Sequence, residues 1–224
     1  MMKRLLPQLM ILFFVFTAGI SSGQTFQDAE EAYKNKDYKK AFEILKPLAE
    51  QGNARAQYFL EKTIAKAAEQ AAKQGDAEAQ LHLGAMYHTG QGVTQDYEKA
   101  LKWYSLAVIQ GKAKAKAALG FMYDQGHGVP QDYQEAAKWY RLAAEHGLAM
   151  AQSMLGEMYL EGKGVPQDYM FAHMWWNLAG SNGHKDAKSN RIIVEKRMTT
   201  QQIEKAQEMA RNWSALRNEI KRDD

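Results

Sequence analysis

The sequence predicts an all-α fold, an α-solenoid of helix-turn-helix repeats. Residues 77–184 repeat three times at a spacing of 36, so that Ala77 aligns with Ala113 and Ala149. Each copy carries two amphipathic helical patterns separated by a glycine-rich turn. A fixed period of about 20 to 50 residues is typical of solenoids, because each unit is too small to bury its own apolar face and stacks on its neighbours. We therefore expect a protein whose stacked repeats present a surface to other molecules.

The residues that recur in all three copies are glycines, aromatic residues and an Asp-Tyr pair. They are Gly84, Gly120 and Gly156; Tyr87, Tyr123 and Tyr159; Gly90/Gly92, Gly126/Gly128 and Gly162/Gly164; Asp96-Tyr97, Asp132-Tyr133 and Asp168-Tyr169; and Trp103, Trp139 and Trp175. Because the tryptophans recur with the core period, we interpret them as packing residues. We expect neighbours on both sides to bury Trp139.

The first half of each unit predicts a helix. In residues 77–89, Ala79, Leu83 and Tyr87 lie four apart and form one stripe on a helix. This helix is expected to end at Gly90.

The second half of each unit predicts a second, amphipathic helix. From Tyr97 onward, apolar residues such as Ala100 and Tyr104 recur at spacings of three and four, while charged residues occupy the other face. Asp96 stands where a helix needs a side-chain acceptor for its free amides. Gly111 stands where the chain must leave the helix through a left-handed backbone. Both signals recur in the three copies.

Together these residues give the pattern Ala-x-Ala-(x)3-Leu-Gly-x-Met-Tyr-(x)2-Gly-x-Gly-Val-(x)2-Asp-Tyr-(x)3-Ala-(x)2-Trp. The pattern resembles the Sel-one-like repeat, a glycine-rich relative of the tetratricopeptide repeat. The resemblance implies a right-handed α-solenoid whose first helices line a concave face, and a role as an adaptor or partner-binding scaffold. It implies no shared catalytic residues. The three copies occupy residues 77–112, 113–148 and 149–184.

The residues before these copies continue the pattern imperfectly. Residues 24–53 predict an N-terminal tetratricopeptide-like unit with a shorter turn, 35–37, and with Pro47 inside its second helix. Residues 54–76 predict a shortened repeat, because the glycine turn is missing. We expect Ala54 to Gln74 to form one long helix.

Residues 185–224 predict C-terminal capping helices. One helix is expected from Asp186 to Arg197 and another from Thr200 to Lys221. Between them, Thr199 and Gln202 have the spacing of a capping box.

One helix face departs from the repeat in the third unit. Met170, Phe171 and Met174 stand where the other two units carry Glu, Gln or Lys. This apolar face has two explanations: the C-terminal helices cover it, or it is a docking patch for another protein. We favour the first.

The first 23 residues have the three parts of a secretory signal peptide. Lys3 and Arg4 precede an apolar run from Leu9 to Phe16 and a small-residue stretch from Ala18 to Gly23. Even when it is extended, this run is much shorter than the roughly twenty residues of a membrane-spanning helix. We therefore expect cleavage near Gly23 and a periplasmic or secreted protein of a bacterial envelope. The chain would be attached to a membrane only if this segment were retained.

Charge and composition argue against nucleic acid and thiol chemistry. The chain has 29 basic and 26 acidic side chains, and removal of Lys3 and Arg4 brings the two nearly into balance. Without a clustered Lys/Arg stripe, nucleic acid is not expected as a partner. The absence of cysteine excludes disulfides and thiolate metal sites. It also departs from the cysteine-rich secreted branch of the resembled family, for which β-lactam binding has been proposed.

No motif predicts catalytic residues, a cofactor or a metal site. The Gly-x-Gly turns occur in three copies between helices, which indicates structural turns rather than phosphate-binding loops. His82 and His88 lie on nearly opposite helix sides, so they are not expected to share a metal. We interpret Asp96, Asp132 and Asp168 as helix caps rather than catalytic carboxylates.

We predict an exported, non-enzymatic scaffold or adaptor, a monomer that binds a protein or peptide through the concave face of the solenoid. The alternative is a cell-envelope hydrolase or ligand-binding protein that acts on peptidoglycan or β-lactam-like material. The sequence supplies no constellation of nucleophile, base or metal ligands for this alternative.

The concave face supplies the predicted partner-binding positions. On each first helix, the second, fifth, ninth and twelfth residues share one side, and by resemblance to tetratricopeptide grooves this side points inward. The identities vary between units while the core does not. Phe121, Met150 and Leu160 are expected to anchor the partner, and charged side chains to orient it. The twelve positions are Glu78, Leu81, Ala85, His88, Lys114, Ala117, Phe121, Asp124, Met150, Ser153, Glu157 and Leu160.

Overall fold

The computed structural model describes residues 25–223, and in this part of the chain it is all-helical, with eleven helices and no strand. This confirms the predicted fold class. The predicted signal peptide, residues 1–23, lies outside the described residues. Of the helices between residues 25 and 223, none is both long enough and apolar enough to span a bilayer.

The chain divides into two compact units, one ending at Ile64 and the other beginning at Ala65. In the first unit, helix α1 (Phe26–Lys34) and helix α2 (Tyr38–Glu50) pack against each other as a hairpin. The hairpin buries a small core of alanine, isoleucine and leucine side chains. This is the kind of unit predicted for residues 24–53.

Local features of the sequence set the start of the second helix of this hairpin and the turn before it. Asp37 accepts a hydrogen bond from the Lys40 amide at 3.0 Å, which caps the start of α2. The shorter turn is tight, and it holds Lys36 at a φ of 60°, in the left-handed region. Pro47 lies inside α2, and the helix nevertheless continues to Glu50.

The long helix predicted for residues 54–74 is present as α3 (Ala54–Lys73). Asn53 accepts a hydrogen bond from the Ala56 amide at 3.0 Å and so satisfies one free donor at the start of the helix. Gly75 follows the helix with a φ of 93°. A single helix thus stands where a full repeat has a hairpin.

The second unit contains three helical hairpins, each made of two helices of 13 residues. They are α4 (Ala77–Thr89) with α5 (Tyr97–Ile109), α6 (Ala113–Gln125) with α7 (Tyr133–Glu145), and α8 (Ala149–Glu161) with α9 (Tyr169–Ser181). Each second helix packs against the first helix of the next hairpin, which is how a solenoid builds a continuous core.

Recurrent side chains set the ends of these helices. The carboxylates that accept hydrogen bonds from the first amides of the second helices are the predicted caps Asp96, Asp132 and Asp168. The first helices end at glycines in the left-handed conformation, with φ values of 78°, 69° and 72° at Gly90, Gly126 and Gly162. The predicted Asp caps and the predicted end of the first helix at Gly90 are confirmed. The left-handed backbone predicted at Gly111 is present as well, with a φ of 79°.

Each hairpin closes where a glycine of the first helix meets an aromatic ring of the second. The three contacts are Gly84 with Tyr104, Gly120 with Tyr140, and Gly156 with Trp176. A Cβ atom built on Gly120 would lie 2.8 Å from Tyr140 Cδ1, which is closer than two carbon atoms pack. The glycine therefore gives the ring room to lie directly on the helix backbone.

A second glycine contact joins neighbouring hairpins. The last glycine of the turn has a φ of 74° at Gly128 and 67° at Gly164. A Cβ atom on Gly128 would lie 2.9 Å from Tyr97 Cβ, and Gly164 meets the Tyr133 backbone in the same way. The turn of each later hairpin thus rests on the start of the preceding second helix.

The tryptophan column is less buried than expected. Trp175 is buried, but Trp103 and Trp139 are only half-buried, so the prediction of full burial for Trp139 is wrong. The reason is the residue that follows. Tyr140 takes the inward position against Gly120, and successive helical residues point about 100° apart. The ring of Trp139 therefore lies at the edge of the core and is only half-buried.

Two helices follow the third hairpin, α10 (Ala187–Glu195) and α11 (Thr200–Asp223). The predicted capping box is present between them. The Gln202 amide donates to Thr199 Oγ1 at 3.2 Å, and the Thr199 amide donates to Gln202 Oε1 at 2.8 Å. The sequence thus located both helices to within about two residues, the usual uncertainty of helix ends.

The two C-terminal helices pack on α9 and cover its apolar face. Met174 is buried, and Phe171 packs against the same core cluster. Trp213 of α11 meets Trp175 edge-on, with ring centroids 5.1 Å apart. The structure supports the explanation in which a cap, rather than a docked protein, covers this face.

The contact between Gly120 and Tyr140 predicts the effect of one added methyl group. Gly120→Ala should lower the free energy of unfolding by about 1–3 kcal/mol, because the methyl overlaps the ring. The control is Gly180→Ala in α9, where the new Cβ would have only Ala187 Cβ within reach, at 3.8 Å. It should raise the free energy of unfolding by up to about 1 kcal/mol. Urea denaturation measures both, and equal effects would contradict the packing role of Gly120.

The contact between Trp213 and Trp175 predicts the importance of the cap. Trp213→Ala should lower the free energy of unfolding by about 3 kcal/mol, since it removes an aromatic ring from a largely buried contact. Leu216→Ala on the same helix is the control, because Leu216 is exposed and an ordinary surface change stays within about 0.5 kcal/mol. If both variants unfold at the urea concentration of the wild type, α11 does not cap the core.

Candidate functional site

The candidate site is the side of α4, α6 and α8 that carries the twelve predicted positions, called here the first-helix face. Ten of the twelve are exposed or half-buried. Ala117 and Ser153 are buried, with 9% and 2% of their surface exposed. Ala117 belongs to the buried cluster that also contains Ala151 and Leu155 of the next first helix. Ala117 therefore lies at the seam between neighbouring first helices, and neither Ala117 nor Ser153 is accessible to a partner.

Two large apolar side chains stand out on this face. Met150 is 63% exposed and Phe121 is 39% exposed. Leu160, the third predicted anchor, is half-buried and packs against the core cluster of the last hairpin. The structure thus makes Phe121 and Met150 accessible for contact, and Leu160 chiefly a packing residue.

At the N-terminal end of the first helices, the face carries a cavity of about 310 Å³. Lys112 Nζ donates to Glu78 Oε2 at 3.0 Å and joins two adjacent hairpins across this cavity. Leu81 and Lys114 also line it. Three of the predicted positions are therefore brought together here.

The C-terminal end of the same helices is acidic. Burial, and next the neighbouring Glu161 carboxylate, raise the pKa of Glu157 above its usual value. Asp124 adds to this effect, while Lys163 opposes it. The face thus has a basic side chain, Lys114, near one end and carboxylates near the other.

Between the first two hairpins, four rings form a cluster on this face. His127 stacks on Tyr97 with ring centroids 4.3 Å apart, and Phe121 meets His127 at 5.9 Å. His88 meets Phe121 edge-on at 5.6 Å, and its Nε2 lies 3.1 Å from His127 Nδ1. Sequence reasoning placed His88 and Phe121 on the face but missed His127 and Tyr97, because they lie in a turn and at a helix start.

His82 and His88 are separated, as their spacing indicates. His82 Nε2 lies 3.8 Å from Glu78 Oε1, one turn back on α4, whereas His88 faces the next hairpin. Within residues 25–223, no group of three or more His, Asp or Glu side chains is arranged to hold a metal ion.

A polar pair recurs behind the face, and sequence reasoning missed it. In each case the fourth residue of a first helix meets the residue that follows the second helix of the same hairpin. The pairs are Gln110 donating to Gln80 at 2.8 Å, Lys116 donating to His146 at 2.8 Å, and Asn182 donating to Gln152 at 2.9 Å. The signal is weak in the sequence because the residue types change while the contact stays.

Comparison with known families identifies the repeat. The family model described as the Sel1 repeat matches residues 32–53, 77–112, 113–148 and 149–184. The matched segments cover more than half of the chain. Sel1 repeats commonly mediate protein-protein interaction. No curated protein matches the chain.

Solved structures show the same fold. A protective antigen present in uropathogenic Escherichia coli strains, displaying an SLR fold, is 34% identical with a TM-score of 0.64; the match covers 84% of this chain and 44% of that protein. The chain thus spans less than half the length of that protein. A Sel1 repeat protein from Oxalobacter formigenes is 36% identical with a TM-score of 0.51, over 55% of this chain and 93% of that one. The cysteine rich protein B of Helicobacter pylori is 23% identical with a TM-score of 0.46, over 56% and 95%.

The raised pKa of Glu157 predicts a pH-dependent stability. Because the folded state disfavours the charged carboxylate, the contribution of Glu157 to stability should become more favourable as pH falls from neutral towards the usual Glu pKa of 4.5. Glu157→Gln should therefore raise the melting temperature near pH 7 and lose this advantage below about pH 4. Glu98→Gln on the exposed side of α5 is the control. A Glu157→Gln effect that does not depend on pH would contradict the electrostatic explanation.

Proposed function

Because the chain belongs to the Sel1 repeat family, we propose that it is an exported, non-enzymatic scaffold that binds a protein or peptide through the first-helix face. One observation carries the proposal. The buried contacts repeat from hairpin to hairpin, as in Gly84–Tyr104 and Gly120–Tyr140, whereas the exposed positions of the first helices do not. Repetition then builds the scaffold and variation selects the partner.

The accessible side chains favour a peptide or protein over a small polar ligand. Phe121 and Met150 expose large apolar surfaces on adjacent first helices. Aromatic and long apolar side chains of this kind contribute most of the binding energy in protein interfaces. Lys114 near one end and Asp124 with Glu157 near the other would fix the direction of a bound chain, because charge complementarity chiefly selects orientation.

The proposed export rests on the N-terminal segment, with its two basic residues, apolar run and small-residue stretch. The Escherichia coli relative is described as a protective antigen, and an exported location for this chain agrees with that description. We place the protein in the periplasm or outside the cell, where it acts as a monomer.

The proposal predicts that charge placed on the face abolishes binding without unfolding the chain. Phe121→Lys with Met150→Lys should stop capture of the partner from a bacterial envelope extract, because both changes put an ammonium group at an apolar contact. Met150→Lys should change the free energy of unfolding by about 0.5 kcal/mol or less, as for an ordinary surface change. Phe121→Lys also loses the edge contacts with His88 and His127 and should lower the free energy of unfolding by about 1 kcal/mol, which leaves the chain folded. The measurement is an affinity pull-down quantified by mass spectrometry.

The matched control is Ile109→Lys, since Ile109 is 81% exposed but lies at the end of a second helix. This variant should capture the partner as the wild type does. If the face variant still captures it, or if Ile109→Lys alone abolishes capture, the binding site is not on the first helices. Turnover of peptidoglycan fragments or β-lactams by the purified chain would instead favour an enzyme.

A further inference from the structure

Two histidines meet at the junction between the first two hairpins of the second unit. His88 lies in the last turn of α4. His127 lies between Gly126 and Gly128, in the turn of the next hairpin. The distance from His88 Nε2 to His127 Nδ1 is 3.1 Å, and the ring centroids are 5.3 Å apart. Since each nitrogen lies about 1.2 Å from its ring centre by ordinary imidazole geometry, the two nitrogens face each other almost head-on.

A head-on pair of imidazoles depends on its protonation state. One facing nitrogen must carry a proton and the other must offer its lone pair. This is possible when both rings are neutral, and also when one ring is a cation. When both rings are cations, two N–H groups face each other and two positive charges are held together, so the hydrogen bond is lost. The pair accepts a first extra proton and rejects a second.

The surroundings do not supply a compensating charge in direct contact with the rings. From α5, the Tyr97 ring stacks on His127 and lies 5.4 Å from His88. From α6, Phe121 meets both imidazoles edge-on. Burial, and next the neighbouring His127, lower the pKa of His88 below its ordinary value of 6.5.

The carboxylates on the same elements are engaged with other side chains. Asp96, at the start of α5, lies 2.7 Å from Lys99 Nζ. Asp124, at the end of α6, accepts a hydrogen bond from Gln125 Nε2. Neither is in contact with an imidazole of the pair.

The next junction has the same construction with different chemistry. The residues equivalent to His88 and His127 are Asp124 and Lys163. Lys163 Nζ lies over the Tyr133 ring at 5.8 Å, as His127 lies over Tyr97. Glu161 and, more weakly, Asp124 raise the pKa of Lys163. No imidazole stands at these two positions, so this second junction lacks the head-on pair that a second proton would break.

We propose that the His88–His127 pair is a pH-sensitive joint of the solenoid: it holds the second turn against α4 at neutral pH and releases it when both imidazoles are protonated. Release removes the support of Phe121, which both rings contact. Acidification would therefore loosen the first-helix face at Phe121. As a way of regulating partner binding, this consequence rests on the proposed function. The joint itself does not require a partner.

The direction of the effect follows from the lowered pKa of His88. The unfolded chain binds the proton more readily than the folded chain, so stability contributed by the pair is present above about pH 6.5 and is lost as pH falls through the lowered folded value. The opening is local, because the junction between the second and third hairpins has no imidazole at the equivalent positions, and the raised pKa of Glu157 there favours the folded state as pH falls.

Hydrogen-deuterium exchange tests the joint in the full chain without any partner. Protection factors, corrected for the intrinsic exchange rate at each pH, are compared at about pH 7.5 and 5.5 for residues 121–129 and for the equivalent residues 157–165. In the wild type, protection of 121–129 should fall by about tenfold, as expected for the loss of one hydrogen bond. Protection of 157–165 should not fall: because the pKa of Glu157 is raised in the folded state, protection there should stay constant or rise.

Two variants isolate the imidazoles. His88→Asp with His127→Lys copies the next junction, and His88→Gln with His127→Gln replaces the pair with neutral amides. Either variant, when folded, should keep the protection of 121–129 constant between the two pH values. An equal fall at both segments of the wild type, or a fall retained in the variants, would overturn the proposal. Because no partner is present, this result is independent of the Phe121 and Met150 test, and the failure of either can be told from the failure of the other.

Discussion

The contact between a helix glycine and an aromatic ring is the constraint on which the second unit depends. In each hairpin the ring of Tyr104, Tyr140 or Trp176 lies on the backbone of the first helix at a glycine, where a side chain would overlap the ring. Close approach of this kind buries a large apolar ring with few other large residues, and much of the remaining core is alanine. Burial of the Tyr104 ring, which leaves 5% of the residue exposed, raises the pKa of its hydroxyl to about 12. The turn glycines then set the distance between hairpins, because each rests on the backbone of the preceding one.

A scaffold fixed by so few contacts leaves the outer side chains free to vary, and we propose that this variation selects the partner. At the same place in successive hairpins the chain carries His88 with His127, and then Asp124 with Lys163, over an equivalent tyrosine. The backbone arrangement is the same, while the chemistry changes from two imidazoles to an aspartate and a lysine, and the lysine pairs with Glu161. The same holds behind the face, where a glutamine, a lysine and a second glutamine fill one register position. The proposed binding face, with Phe121 and Met150 exposed, is a further case of fixed geometry and changing identity.

The sequence predicted most of the fold and part of the site. The repeat period, the helix caps and the turn glycines are local signals in the sequence. They were enough to predict the helices of the hairpins, the capping box at Thr199, and the helix caps Asp96, Asp132 and Asp168. It was harder to predict from the sequence which residues of a helix are buried. Trp139 shares the repeat period with the core, yet Tyr140 takes the inward position, and periodicity alone does not distinguish neighbours about 100° apart. Ala117 and Ser153 share a helix side with exposed positions but are buried in the folded chain, and Ala117 packs with side chains of the next hairpin. The His88–His127 contact joins residues from different hairpins, one of them in a turn, and required the three-dimensional structure.

The central claim is that the partner lies on the first helices and not elsewhere on the solenoid. Site-specific photo-crosslinking tests it most directly, with a benzophenone amino acid placed in turn at Phe121, Met150 and Ile109 of the exported chain in living cells. All three positions are exposed, so each probe can reach a bound molecule. The account predicts one crosslinked product of the same mass from Phe121 and Met150, and none from Ile109. A product from Ile109 with none from the other two would contradict it.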